Sequence, residues 1–161
     1  MQEVAAHARA PGRIYLTGGA SAVLQHWRES TVDIDLKIVP ENDRILRALP
    51  ELKEKLHINV ELASPSDFVP ELLSWADRSP FIAQHGPIAF HHYDFYSQAL
   101  SKLERGHRKD LSDVDAMVRE GLVMPEKLLD LFGQIAGELY RYPAINADTL
   151  RSAVERFASR G

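Results

Sequence analysis

The chain has 161 residues, a formal charge of −4 and 45% apolar residues, which fits a single packed domain and excludes wholesale disorder or a molecule-wide cationic surface for nucleic acid. It contains no cysteine, which excludes disulfides, thiolate zinc sites and thiol nucleophiles. The N-terminus lacks the basic-then-apolar order of a signal peptide, and no apolar run reaches the ~20 residues of a membrane span, so a cytoplasmic protein with no membrane partner is expected.

In chain order, Arg13–Thr17 reads as a buried strand leading into Gly18-Gly19. The spacing of Ala20, Val23, Leu24 and Trp27 predicts a helix from Gly19 to about Trp27. Ser30–Val39 reads as a second strand, stopped by Pro40. Asn42 is placed to cap a helix from Asp43 to Leu56 that turns Ile45, Leu46, Leu49 and Leu52 inward. Ile58–Leu62 alternates as a third strand, Ser64–Pro70 reads as a loop, and Glu71–Asp77 as a short helix. Phe81–Gln84 and Ile88–Tyr93 flank His85-Gly86-Pro87 as a hairpin. Helices follow over Phe95–Glu104, Leu111–Arg119, Pro125–Tyr140 and Ala147–Ser159. The expected fold is therefore α/β: a small mixed sheet flanked by helices over residues 1–95, with an α-helical C-terminal region over 96–161 packed on that core.

Asp33 and Asp35 carry the strongest chemical signal. Strand alternation puts Val32, Ile34, Leu36 and Ile38 on one face and Asp33, Asp35 and Lys37 on the other. Two carboxylates so close repel unless something positive lies between them, and a divalent cation such as Mg²⁺ is the simplest partner. The plain alternative is a solvated polar face. Gly18-Gly19, between strand and helix, suits close approach of phosphate to backbone N–H groups, with Ser21 or Thr17 adding a hydroxyl; the alternative is a tight turn. Glu61 has the parity to join the two aspartates if its strand neighbours theirs, or it is an edge glutamate in water. Lys102 and Arg105 lie one helical turn apart and could neutralise a triphosphate. Gly106 ends their helix, and Asp110 reads either as the cap of the next one, with Asp113 in its first turn, or as a group that orients a base. His91 and His92, adjacent on a strand, point to opposite faces and are assigned to surface or packing roles.

Taken in order, Thr17-Gly-Gly-Ala-Ser-Ala22, Thr31-Val-Asp-Ile-Asp-Leu36, a later strand acid and Lys102-Leu-x-Arg-Gly-x-x-Lys-Asp-x-x-Asp113 resemble the polymerase-β-like nucleotidyltransferase superfamily. The last segment is similar to its compact branch, which includes the AbiEii-type abortive-infection toxins and related small bacterial and archaeal proteins. The resemblance implies that Gly18, Gly19, Ser21, Lys102 and Arg105 bind a nucleoside triphosphate. It implies that Asp33, Asp35 and Glu61 hold Mg²⁺, as two ions with Mn²⁺ as a substitute, and that these acids with Lys102 and Asp110 form the catalytic set. It also implies transfer of a nucleoside monophosphate to a hydroxyl of RNA, a protein side chain or a small molecule, and for a toxin-like member a cognate antitoxin. Two departures stand out: Gly18-Gly19 replaces the Gly-Ser of many catalytic members, and Glu61 matches the third acid by parity and order only. The alternative function is a non-catalytic nucleotide-binding or partner-binding module on the same fold.

Overall fold

The computed structural model describes residues 1–159; residues 160 and 161, the end of the expected helical region, lie outside the described residues. It resolves into two compact units, one of residues 1–64 and 79–93, the other of residues 65–78 and 94 onward.

The first unit is a mixed sheet with helices on its apolar face. Its elements are α1 (Gln2–Ala5), β1 (Gly12–Thr17), α2 (Gly18–Leu24), β2 (Asp33–Val39), α3 (Asp43–Leu56), β3 (Asn59–Glu61), β4 (Phe81–His85) and β5 (Ile88–His92). The strand order is β3-β2-β1-β5-β4. β1 is antiparallel to β2 and parallel to β5, β2 is parallel to β3, and the β4–β5 hairpin is antiparallel. Alternation sends Ile14, Leu16, Leu36, Ile38, Val60, Ile88 and Phe90 into one core, where they meet Ala20 of α2 and Ile45 and Leu49 of α3. α3 has the predicted bounds because its start is chemically marked: the Asn42 side chain accepts from the Ile45 N–H at 3.2 Å.

Three of the boundaries that differ from expectation do so for a local reason. α2 stops at Leu24, before Trp27, because His26 takes a left-handed conformation (φ 67°) and the Trp27 N–H turns back to the Ala22 carbonyl. β2 starts at Asp33, after Ser30: the Thr31 hydroxyl donates to the Asp33 carbonyl and accepts from its N–H, closing a local turn ahead of the strand. The helix expected over Glu71–Asp77 reduces to one tight turn, Ala76–Arg78, because Ser74 has φ 57°.

The second unit is helical: α4 (Phe95–Arg105), α5 (Arg108–Arg119), α6 (Pro125–Ile135) and α7 (Ala147–Ala158), with a tighter 3₁₀ stretch over Ala136–Arg141 where the sequence predicts continuing α-helix. Leu128, Leu131, Phe132, Leu150, Val154 and Phe157 are buried, as their helical spacing predicts. Residues 65–78, expected with the N-terminal core, pack here instead. Asp94 explains part of this. It is fully buried, caps α4 by accepting from the Tyr96 and Ser97 N–H groups, and takes a two-pronged bond from Arg78 at 3.0 and 3.2 Å. Tyr142 adds a bond to the Ser66 carbonyl, and the Arg105 guanidinium lies over the Phe68 ring. Among the described residues no helix is long and apolar enough to cross a membrane.

Candidate active site

The acidic face is built by strand parity and register. Leu36 and Ile38 point into the core, so Asp33, Asp35 and Lys37 point the other way. On the parallel neighbour β3, Asn59 stands beside Asp33 and Glu61 beside Asp35. Three carboxylates therefore share one sheet face, as Glu61's parity requires. Asp33 and Glu61 are exposed, while Asp35 is half-buried. Asn59 joins the outer two: its amide nitrogen lies 3.3 Å from Asp33 Oδ1 and 2.9 Å from Glu61 Oε1.

The glycine turn closes against this face. Thr17, the last residue of β1, is paired with Asp35, and Gly18 follows with φ 59°, a conformation that side chains resist. A β-carbon on Gly18 would stand 2.7 Å from Asp35 Oδ2, and one on Gly19 would stand 2.5 Å from Thr31 Oγ1. A β-carbon at either glycine would thus press on a neighbouring side chain, and Gly18 is favoured by its backbone as well.

The donors on this face are hard carboxylate oxygens, which suit Mg²⁺. Among the described residues no three His, Cys, Asp or Glu side chains stand ready to cage a metal.

Ser21 and His92 belong to the opposite, core face. Ser21 is 0% exposed, with its Oγ 2.6 Å from His92 Nδ1, and Gln25 Nε2 lies 2.9 Å from His92 Nε2. Both ring nitrogens of His92 are thus engaged, one by Ser21 and one by Gln25. Burial disfavours the charged ring and lowers the His92 pKa to about 4. The hydroxyl expected at a phosphate is thus already engaged in the core. His91, on the other face, lies against the Tyr15 and Phe81 rings. The parity assigned to the two histidines holds, but their sequence gives no sign of the α2 contact.

Lys102, Arg105, Asp110 and Asp113 form a cluster within the second unit. Lys102 is 3% exposed, and its ammonium donates to Asp113 at 2.6 Å and Asp110 at 3.5 Å. Arg105 grips both oxygens of Asp110, at 2.6 and 3.2 Å. The capping role expected of Asp110 is not taken. α5 already begins at Arg108 after His107, so Asp110 and Asp113 lie inside it and tie it to α4. The structure thus gathers Gly18, Gly19, Asp33, Asp35 and Glu61 around one face of the first unit, and the basic pair with its acids inside the second. Asn59 was missed, although its parity equals that of Glu61.

A search of curated proteins and of solved structures gives no significant match. One family model, DUF6036, matches residues 1–153 and is described as a nucleotidyltransferase of unknown function. The match covers nearly the whole chain, so the protein belongs to the DUF6036 family, nucleotidyltransferases of unknown function.

Proposed function

We propose that this chain transfers a nucleoside monophosphate from a nucleoside triphosphate to a hydroxyl acceptor and releases pyrophosphate. The observation that carries this reading is the placement of Asp33 and Asp35 on one sheet face with Gly18 closed against Asp35. Asp33 and Asp35 would hold Mg²⁺, with Mn²⁺ as a substitute and a second ion shared with Glu61. The cation, when bound, neutralises phosphate charge. Gly18 and Gly19 carry no side chains of their own, which would let a triphosphate come close to the backbone of the turn. Glu61, beside Asp35, would take the proton of the attacking hydroxyl as the new oxygen–phosphorus bond forms and the bond to pyrophosphate breaks. The acceptor would be RNA or protein. Kinship with the AbiEii-type toxins, and with it a cognate antitoxin, is supported by the Lys102–Asp113 sequence pattern alone. Lys102, Arg105 and Asp110 are best supported as an ion-pair cluster that fixes α4 to α5, with their triphosphate role resting on the same sequence pattern.

The test is label transfer from an α-labelled triphosphate with RNA and protein acceptors. Asp33→Asn with Asp35→Asn should abolish transfer and leave the melting temperature unchanged; equal transfer by both proteins removes the reading. A second reading is nucleotide binding without transfer on the same fold. It requires saturable triphosphate binding with no pyrophosphate release, and turnover with any acceptor disposes of it.

A further inference from the structure

We infer that Asn59 is a positioning residue of the acidic face, a neutral clip that holds Glu61 toward Asp33 before any cation arrives. The inference deepens the reading in which Asp33 and Asp35 hold Mg²⁺ and rests on it. Three observations carry it. β3 runs parallel to β2 with Asn59 directly beside Asp33, and Glu61, two residues on, projects from the same face beside Asp35. The Asn59 side chain reaches one oxygen of each flanking acid, Asp33 Oδ1 at 3.3 Å and Glu61 Oε1 at 2.9 Å. Both partners are carboxylates, which only accept, so the amide nitrogen must face both and its two N–H bonds are fully committed.

The chemistry explains why an amide suits this place. Glu61 is exposed on a short edge strand, with a flexible side chain next to two like charges. Repulsion and rotamer freedom would both carry its carboxylate away from the aspartates. An ammonium at position 59 would cancel that repulsion but compete with the incoming cation. An alkyl side chain would leave the repulsion in place. An amide donates to both acids while adding no charge, so the acids keep their negative field and their orientation. This is the outer-shell support that fixes the ligands of metal sites, whose loss commonly costs 10–100-fold in affinity.

The probe is Mn²⁺ alone, titrated by electron paramagnetic resonance into the full chain, with melting temperatures taken in chelator. Asn59→Leu, which removes the donors and keeps the bulk, should raise the Mn²⁺ dissociation constant about tenfold or more. The metal-free melting temperature should stay that of the wild type, and the rise in melting temperature on adding Mn²⁺ should shrink. Asn59→Ala repeats the measurement with a smaller side chain in case leucine disturbs the edge strand. Affinity within about twofold of wild type overturns the inference, and so does tighter binding, which would make the amide a competitor of the cation. Asp33→Asn with Asp35→Asn separates the two levels. If this pair loses Mn²⁺ and the Asn59 variants keep it, only the clip falls. If the wild type binds none, the cation reading and the clip fall together.

Discussion

Gly18 and Asp35 approach so closely that a β-carbon on the glycine would stand 2.7 Å from the carboxylate oxygen Oδ2. Gly18 also has φ 59°. Gly18→Ala therefore faces two penalties, backbone strain of about 1–3 kcal/mol and displacement of the Asp35 side chain. Urea unfolding should show that loss of stability, and Mn²⁺ affinity should fall as Asp35 is pushed from its place. A variant of wild-type stability and affinity would mean that the turn and the acidic strand are not fitted to each other.

His92 predicts how stability depends on pH. Its pKa is lowered from 6.5 to about 4 by burial, so between those values the unfolded chain binds a proton that the folded chain refuses. The contribution of the neutral ring is fully present above the unfolded value and is lost as pH falls through the window toward the folded one. His92→Gln removes the titrating group. Its unfolding free energy, measured from pH 7.5 down to 4.5, should fall less steeply than that of the wild type. Parallel slopes would show that the imidazole contributes nothing to acid sensitivity.

How much of this was legible in sequence depended on the range of the interaction. α3 could be bounded because its start signal, Asn42, and its apolar spacing are contained in a few consecutive residues. The parity of Glu61 was legible for the same reason, since a strand repeats every two residues. Its neighbour was not, because the β2–β3 register depends on the length and packing of the α3 crossover. The Ser21–His92 bond joins residues 71 positions apart, so nothing local could divert that hydroxyl from the phosphates. Asp94 had a local signal, an aspartate directly before an apolar run. Its bond from Arg78 had none, and that bond helps draw residues 65–78 to the helical unit. The acids of α5 resembled a capping pair because a first-turn carboxylate and a buried ion-pair partner look alike until the bend at Gly106 folds α5 back on Lys102.

The Lys102 ammonium is set between Asp110 and Asp113 in this buried cluster. Lys102→Met would leave Asp113 buried without that cation, while Arg105 still holds Asp110. Breaking one side of a buried pair costs about 3–5 kcal/mol, and replacing both members with apolar groups can be near neutral. Urea unfolding should therefore find Lys102→Met much less stable than Lys102→Met with Asp113→Leu. If the two changes simply add, the pair is not an energetic unit. Triphosphate binding by the double variant then separates structure from chemistry: retained affinity leaves the cluster a purely structural role.

Glu61 and Asp35 are neighbours across parallel strands, and the proposed chemistry gives them different work. Asp35 is half-buried against the glycine turn and is assigned to the cation, so Asp35→Asn should remove the Mg²⁺-dependent rise in melting temperature with triphosphate. Glu61 is exposed and assigned to the proton of the acceptor hydroxyl. Glu61→Gln keeps the shape and the bond to Asn59 through its side-chain carbonyl, but an amide cannot take that proton. The variant should therefore bind triphosphate with little change while pyrophosphate release falls about 10²–10⁴-fold, the usual contribution of a positioned base. Binding and turnover lost together would show that Glu61 acts through the second ion alone and not as the base. Full turnover in Glu61→Gln would return it to a solvent-facing edge glutamate and leave the proton to the acceptor's own surroundings.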